Sequence, residues 1–158
     1  MTPGVAMQCY LVHHADAVGP EVDAQRPLSI RGLAHAERLA EAAREASIKP
    51  SAIWHSGKLR ARQTAEAFLR VCNPFASFKA VRGLRPEDPP GWIREVLAAE
   101  DEGEMPGVLL VGHMPHLPAL LHALTEGAAE FPLHGLVWLE RGASGIFRER
   151  KRWKDGWI

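Results

Sequence analysis

The sequence predicts a single three-layer α/β/α domain around a mainly parallel β-sheet. Short apolar runs alternate along the chain with longer helical patterns, which is typical of strand–helix–strand units with helices on both faces of a sheet. A length of 158 residues suits one domain, and 46% hydrophobic with 24% charged residues is the composition of a globular chain. We therefore predict one domain over residues 1–158, with residues 1–6 as a candidate N-terminal extension.

The first strand and the first helix follow from two different apolar patterns. Gln8–His13 is a continuous apolar run, as expected of a strand buried on both faces. Ser29 can cap a helix over Ile30–Ala46, which ends before Pro50. The apolar positions that recur on one face of this helix are Leu33, Ala36, Ala40 and Ala43.

The middle of the chain repeats this alternation. Ala52–Trp54 predicts a short strand, Leu59–Val71 a helix, and Phe78–Val81 a weak third strand. Asp88 is a plausible cap of a third helix, with Pro89 at its first position. The apolar pattern of this helix consists of Trp92, Ile93, Val96 and Leu97, and an acidic loop over Glu100–Glu104 follows it.

The last third contains the clearest buried strand, Val108–Val111, and then a helix over His116–Thr125. Leu136–Leu139 and Gly145–Phe147 predict an antiparallel pair joined at Arg141-Gly142. The basic segment Arg148–Trp157 contains two tryptophans. We interpret it as a strand end and solvated tail, because no other basic surface or nucleic-acid motif accompanies it.

Charge and cysteine content exclude several classes of partner. Nineteen Lys and Arg balance nineteen Asp and Glu, so no overall field attracts nucleic acid or a membrane surface. Cys9 and Cys72 lie in apolar segments, as packed and reduced thiols do. No apolar run is long enough to span a membrane, and the N-terminus lacks a signal-peptide pattern. We expect a cytoplasmic protein.

The chain contains eight histidines, and three of its apolar runs end in a histidine. These are His13, with His14 directly after it, His55 and His113. The carboxyl ends of parallel strands meet at one edge of a sheet, where ligands bind in open α/β folds. We expect these imidazoles near one site, although each histidine alone is typical of a structural strand end.

A helix start with basic residues lies at the same predicted edge. Lys58, Arg60 and Arg62 surround the first turn of the helix after Ser56. Residues two apart on a helix point about 200° apart, so only one of the two arginines can face the sheet edge. Ser56 is also typical of a plain helix cap. Imidazoles, a guanidinium and a helix N-terminus together suit a phosphate anion.

Other site chemistries fit less well. The spacing of His113, His116 and His122 matches no established metal-ligand pattern, so no metal or other cofactor is expected. The chain has no Gly-x-Ser-x-Gly elbow for a serine hydrolase, and it has neither a P-loop nor a Gly-x-Gly-x-x-Gly motif for a nucleotide.

Five segments, in order along the chain, resemble the histidine phosphatase superfamily of phosphoglycerate-mutase-like proteins, and most of all its SixA-type phosphohistidine phosphatases. The family patterns are Arg-His-Gly after a strand, Arg-Pro-Leu-Thr…Gly, Ser-Pro-x-x-Arg-Ala-x-Gln-Thr-Ala, Leu-x-Pro and Val-Gly-His-Asn-Pro. The matching segments here are Leu11–Ala15, Arg26–Gly32, His55–Ala65, Leu84–Asp88 and Val111–Pro115. The resemblance implies a phosphoglycerate-mutase-like fold and a cofactor-independent phosphatase.

The resemblance also implies roles for individual residues. His14 would be the nucleophile that forms a phosphohistidine intermediate, and Arg60 and His113 would bind the phosphoryl oxygens. His13 stands where the family has an arginine, so its charge would depend on pH and phosphate binding would be weaker. Arg26, Lys58 or Arg62 could supply the missing charge, and Arg26 is favoured because it matches a family segment close to the site. Ser56 joins the expected phosphate ligands.

Two points stay open in the sequence. Glu87 or Asp88 falls where larger superfamily members carry a general acid. The substrate is expected to be phosphohistidine on a protein, because short connections leave no room for an inserted lid. A small phosphate ester is the alternative substrate, and a non-catalytic phosphate-binding module is the alternative function.

Overall fold

A computed structural model describes residues 6–100, 106–127 and 130–154. Within these ranges the chain forms six strands and four helices in the predicted order, with most bounds within two residues of the prediction. In chain order they are β1 (Gln8–His13), α1 (Ile30–Glu45), β2 (Ala52–His55), α2 (Leu59–Cys72), β3 (Ser77–Ala80), α3 (Gly91–Ala99), β4 (Gly107–Gly112), α4 (His116–Thr125), β5 (Leu136–Arg141) and β6 (Phe147–Trp153).

The strands form one sheet in the order β3-β2-β4-β1-β5-β6. The first four strands are parallel, β5 is antiparallel to β1, and β6 is antiparallel to β5. The mainly parallel sheet with one reversed strand near the C-terminus is therefore confirmed. His13 pairs with Gly112 and Val12 pairs with Leu136, so β1 and β4 end where β5 begins.

Both faces of the sheet are covered, which confirms the three layers. Tyr10 and Val12 of β1 pack into one core cluster with α1 and α2, whereas Cys9 and Leu11 pack into a second with α3 and α4. Successive side chains of a strand point to opposite faces, so a strand in this position must be apolar throughout. Cys9 and Cys72 belong to opposite clusters, and both are buried free thiols.

Three of the four predicted core positions of α1, Ala36, Ala40 and Ala43, are buried, and Leu33 is not. The Ser29 hydroxyl accepts the Gly32 N–H at 3.0 Å, which confirms the predicted cap. Leu33 is 48% exposed, whereas His35 and Leu39 are buried. The buried stripe is centred nearer Gly32 because the helix backbone lies against the loop after β1. A Cβ at Gly32 would be only 2.0 Å from the Asp16 carbonyl oxygen.

The start of α3 also corrects the prediction. The helix begins at Gly91 rather than Pro89, and Asp88 does not cap it. Asp88 Oδ2 instead accepts the backbone N–H groups of Gly83 and Arg85, at 3.1 and 2.9 Å. The carboxylate therefore closes the turn before the helix, as aspartates commonly do in loops.

The last strand is longer than predicted and lies further along the chain. Gly145 has a φ of 88° and belongs to the turn, and β6 extends through most of the segment interpreted as a tail. Phe147 and Trp153 are buried while the intervening residues are mostly exposed, as suits a charged edge strand. Residues 1–5 of the candidate extension, 101–104 of the acidic loop and 155–157 of the tail lie outside the described residues. None of the described helices is long and apolar enough to cross a membrane.

Candidate active site

Three predicted imidazoles meet where β1 and β4 end. The ring centroids of His13 and His14 are 4.5 Å apart, and those of His14 and His113 are 5.0 Å apart. His13 ends β1, and His113 follows Gly112 at the end of β4. Because these two strands pair with each other, the imidazoles lie close together. His14 is thus flanked by an imidazole from each side.

His14 has a defined tautomer. Its Nδ1 donates to the Ala15 carbonyl oxygen at 2.7 Å, which leaves the Nε2 lone pair free. Burial, together with the charges of Arg60 and Arg26, lowers the pKa of His14 to about 4, against the opposing effect of the Ala15 bond. Near neutral pH the ring is therefore uncharged, as a nucleophile must be.

Ser56 and His113 form a buried pair. The Ser56 hydroxyl lies 2.6 Å from His113 Nε2, and its oxygen accepts the Lys58 N–H at 3.3 Å. A hydroxyl that donates to Nε2 places the ring proton of His113 on Nδ1. Burial, with the charges of His14 and Arg60, lowers the pKa of His113 to about 2. His113 Nδ1 is a buried donor without a hydrogen-bond partner in the described chain.

The first turn of α2 separates the two arginines as helical geometry requires. The Arg60 guanidinium lowers the pKa of His13, His14 and His113, so it lies close to all three rings. Its Nε is buried and has no partner among the described residues. Arg62 instead pairs with Glu66 at 3.8 Å, with both side chains about half exposed. Arg60 is thus the arginine that faces the sheet edge.

Two polar side chains of α2 tie the flanking loops to this helix. The Thr64 hydroxyl donates to the Arg60 carbonyl at 2.9 Å and accepts the Ala15 N–H at 3.0 Å. Gln63 Oε1 accepts the Leu28 N–H at 2.7 Å. The loop after His14 and the segment around Leu28 are therefore fixed relative to Arg60.

Arg26 contributes positive charge from the loop before α1. Its backbone is left-handed, with a φ of 50°, and its Nε donates to the Val18 carbonyl at 3.0 Å. Its charge lowers the pKa of both His14 and Arg60. The structure thus places Arg26 near the predicted nucleophile.

A fourth imidazole, His134, is absent from the predicted set. Its ring stacks on His13, with centroids 4.9 Å apart and an interplanar angle of 4°. Its backbone N–H donates to His13 Nδ1 at 2.8 Å, and its Nδ1 donates to the His14 carbonyl at 2.7 Å. His134 precedes a strand rather than following one, so a search for strand-end histidines misses it.

Three predicted residues do not join this cluster. His55 Nδ1 accepts the Gly57 N–H at 3.0 Å, and its ring packs on Phe78. Glu87 is exposed, and Asp88 is occupied by two backbone N–H groups. In the described part of the chain, no carboxylate is among the charged groups that shift the pKa of His13, His14 or His113.

His13, His14 and His134 are close enough to be considered as metal ligands, since one ring nitrogen of each lies within 4.8 Å of the others. A metal needs a lone pair from each ring. His13 Nδ1 already accepts the His134 N–H, so the neutral ring of His13 carries its proton on Nε2. Burial lowers the pKa of His13 to about 3, which keeps this neutral form. The donor set therefore fits an anion better than a metal.

Comparisons with known proteins agree with this geometry. Residues 10–86 match the family model of the histidine phosphatase superfamily (branch 1), a range that contains His13, His14 and Arg60. An uncharacterized protein of Picosynechococcus is 29% identical over 151 residues, which cover 89% of this chain and 88% of that protein.

Similar solved structures cover nearly the whole chain. One is the protein histidine phosphatase SixA complexed with tungstate, with a TM-score of 0.85 and 23% identity over 94% of this chain and 97% of that one. A protein from Agrobacterium tumefaciens assigned as phosphohistidine phosphatase SixA has a TM-score of 0.77 and 26% identity over 97% and 99%. A phosphoglycerate mutase from Plasmodium falciparum shares the fold, with a TM-score of 0.74 and 16% identity over 93% and 90%. The family match over residues 10–86 and the shared fold show that this chain is similar to the histidine phosphatase superfamily, with SixA proteins among its structural neighbours.

Proposed function

We propose that the protein is a phosphatase in which His14 is the nucleophile. The observation that carries this proposal is a pair of buried donors without partners, His113 Nδ1 and Arg60 Nε, beside a neutral imidazole. A buried donor left unpaired costs about 1–3 kcal/mol, so both are expected to pair with a ligand. Phosphoryl oxygens would satisfy both donors while phosphorus faces His14.

The reaction has two displacements at phosphorus. His14 Nε2 attacks phosphorus, and the bond to the leaving group breaks, which gives phosphorylated His14. The oxygen of a water molecule then attacks, the P–N bond breaks, and its electron pair returns to Nε2 as inorganic phosphate leaves. Arg60 and His113 stabilise the negative charge on the equatorial oxygens in both steps. His13 donates from Nε2 as a neutral ligand, rather than through the pH-dependent charge that the sequence suggested.

Phosphohistidine is the substrate that best fits a site in which no described carboxylate shifts the pKa of His13, His14 or His113. When its distal ring nitrogen is protonated, cleavage of the P–N bond releases neutral imidazole. No general acid is then needed at the breaking bond. An alkoxide leaving group, in contrast, needs a proton from a general acid. The SixA structures, one named a protein histidine phosphatase, support the same class.

A phosphorylated protein is the proposed form of this substrate. Two recesses that meet at Gly57 flank the cluster, one of about 480 Å³ containing Arg82, Arg85 and Trp92, the other of about 300 Å³ containing Lys58, Arg60 and Arg62. Basic side chains at both recesses suit an anionic protein surface. We propose no nucleic acid, metal or cofactor, and a cytoplasmic location in keeping with the two free thiols.

The first test traps the covalent intermediate. Brief incubation with ³²P-labelled phosphoramidate, followed by gel analysis at alkaline pH, should show an acid-labile label in the wild type. His14→Ala should abolish the label, because the attacking nitrogen is gone. His13→Ala should retain it but raise KM, because only a phosphate ligand is lost. Label that persists in His14→Ala and vanishes in His13→Ala would assign the nucleophile to His13.

The second test separates the substrate classes. Steady-state kcat/KM for a phosphohistidine protein should exceed that for a panel of sugar phosphates. A higher value for a sugar phosphate would favour the small-ester alternative. No turnover of either class, with a large gain in activity on His13→Arg, would favour a phosphate-binding module that has lost catalysis.

A further inference from the structure

His134 lies in a loop that is bonded tightly to the end of β1. Besides the two bonds of His134 itself, the Gly135 carbonyl accepts the His13 N–H at 3.0 Å. His134 has a φ of 51°, which is uncommon for a residue other than glycine. A Cβ at Gly135 would be 2.3 Å from the Trp153 carbonyl oxygen, so β6 holds the loop from behind. This strained conformation keeps the His134 ring against His13.

The hydrogen bonds determine which nitrogen of His134 can reach a ligand. Nδ1 donates to the His14 carbonyl, so Nε2 is the nitrogen left for a ligand. A ring nitrogen of His134 lies within 4.8 Å of one on His14. The two ring centroids are 6.2 Å apart, so the His134 ring is close enough to His14 for both rings to contact one phosphoryl group.

Of the two stacked rings, His134 lies in the environment that better accommodates a positive charge. His13 is buried, and its Nδ1 accepts a hydrogen bond, which a protonated ring could not do there. His134 is half-buried, so a charge on it is better solvated. A neutral Nε2 on His134 would present a lone pair to the phosphoryl oxygens, whereas a protonated one would donate.

We propose that His134 is a further phosphate ligand that binds the phosphoryl group as an imidazolium through Nε2, so that oxyanion binding is accompanied by uptake of a proton. This inference rests on the proposed phosphoryl site. It makes His134 the residue that adjusts the charge of the site, while Arg60 and Arg26 carry permanent charge.

The groups around His134 decide how a pH dependence is interpreted. His13 and His14 face it from the end of β1, and His35 of α1 contacts it edge-on with ring centroids 6.1 Å apart. The pKa values of His13 and His14, about 3 and 4, are too low for either ring to change charge between pH 6 and 8. His35 is the remaining histidine and therefore needs its own variant.

Sulfate is the probe, because it remains a dianion throughout this pH range and is not hydrolysed. Calorimetric titration of the wild type should show a Kd that rises with pH, by up to tenfold per pH unit. Titrations in two buffers of different ionisation enthalpy should show net proton uptake on binding. This measurement needs no variant.

The informative variant is His134→Asn. An asparagine tolerates a positive φ, and its Nδ2 can donate to the His14 carbonyl as Nδ1 does, but it has no equivalent of Nε2. It should bind sulfate at least tenfold more weakly at pH 6, with a Kd nearly independent of pH. His122→Asn, at an exposed histidine of α4, should behave as the wild type. His35→Gln should keep the pH dependence.

Three results would overturn the inference. They are wild-type pH dependence in His134→Asn, loss of that dependence in His35→Gln instead, and no sulfate binding or no proton uptake in the wild type. The phosphoenzyme assay is independent of all three. Sulfate binding with the expected pH dependence but no phosphoenzyme would keep this inference and reject the catalytic proposal, and the converse result would do the reverse.

Discussion

Ser56 determines which hydrogen His113 presents to a ligand. The hydroxyl holds Nε2, so the ring proton stays on Nδ1, the nitrogen without a partner. The sequence offered Ser56 as a phosphate ligand or a helix cap. In the structure Lys58 rather than Ser56 precedes α2, and the Ser56 hydroxyl bonds to His113 at the end of β4. We assign it as a positioning residue.

Ser56→Ala should therefore lower kcat about tenfold, because a bond worth about 1–1.5 kcal/mol no longer fixes the tautomer of His113. KM should change less. The matched control is Ser51→Ala, at a serine whose hydroxyl donates to Gly107 at the other end of the sheet. Equal losses of kcat in the two variants would show that only general stability is affected.

The sequence predicts some site residues and misses others for geometric reasons. His13, His14 and His113 follow from strand ends, and the family resemblance selects Arg60, a choice that helix periodicity leaves open. The structure brings these four residues together. His55 satisfies the same strand-end rule, but the rule does not tell which way a side chain points, and this ring faces Phe78. His134 needs the opposite rule, because an antiparallel strand begins where its parallel neighbours end. The predicted reversed strand was the signal that could have found it.

At the scale of elements, the contact between α1 and the loop after β1 depends on the absence of a side chain. Gly32 approaches the Asp16 carbonyl, and the Ser29 N–H and hydroxyl also bond to Asp16. The same loop contains His14 and Ala15. Packing of this helix start therefore helps to hold the proposed nucleophile.

Gly32→Ala should lower the free energy of unfolding by about 2 kcal/mol or more, because the backbone must shift to admit the methyl group. The label from phosphoramidate should fall as well. Gly91→Ala is the control, since nothing lies within 4 Å of its Cβ position at the start of α3. It should be neutral or stabilising by up to about 1 kcal/mol. Thermal unfolding of both variants checks this, and equal effects would contradict the close-approach argument.

The central strands were predicted well, and the elements at the periphery of the fold less well. The two central strands are apolar on both faces because helices cover both faces. The length of β6 was difficult to predict from the sequence, because its exposed positions are charged. Only Phe147 and Trp153, at its two ends, are buried. The start of α3 was misplaced because an aspartate that closes a turn and an aspartate that caps a helix look the same in the sequence. Asp88 closes the turn before the helix.

For the whole molecule, the buried histidines make stability depend on pH. His13 and His113 are 5% and 1% exposed, and their pKa values of about 3 and 2 lie far below the value of about 6.5 in an unfolded chain. Below pH 6.5 the unfolded chain binds protons that the folded protein does not, so stability falls as pH falls.

We expect a loss of about 1.4 kcal/mol for each of these two residues at pH 5.5, and a further loss toward pH 3. Denaturant unfolding in buffers free of phosphate and sulfate measures it. The double variant His13→Gln, His113→Gln should show a flatter profile between pH 7.5 and 5.5, whereas His122→Gln should not. Parallel profiles for wild type and double variant would reject the assignment.

The proposed chemistry uses only side chains of this chain. Phosphatase activity should therefore be unchanged after exhaustive dialysis against a chelator, because anion binding relies on N–H donors and His14 needs no metal to attack. Activity that disappears and returns with a divalent cation would favour the three-imidazole metal site instead. Metal analysis of the dialysed protein completes the measurement.

The position of β1 also has a consequence for biosynthesis. Val12 pairs with Val111 on one side and Leu136 on the other, so both neighbours of β1 leave the ribosome about a hundred residues or more after it. The proposed nucleophile, His14, is therefore synthesised more than a hundred residues before the loop that contains His134. We expect nascent chains to acquire phosphoryl-binding activity abruptly, only when β5 has emerged, rather than gradually as each helix is added.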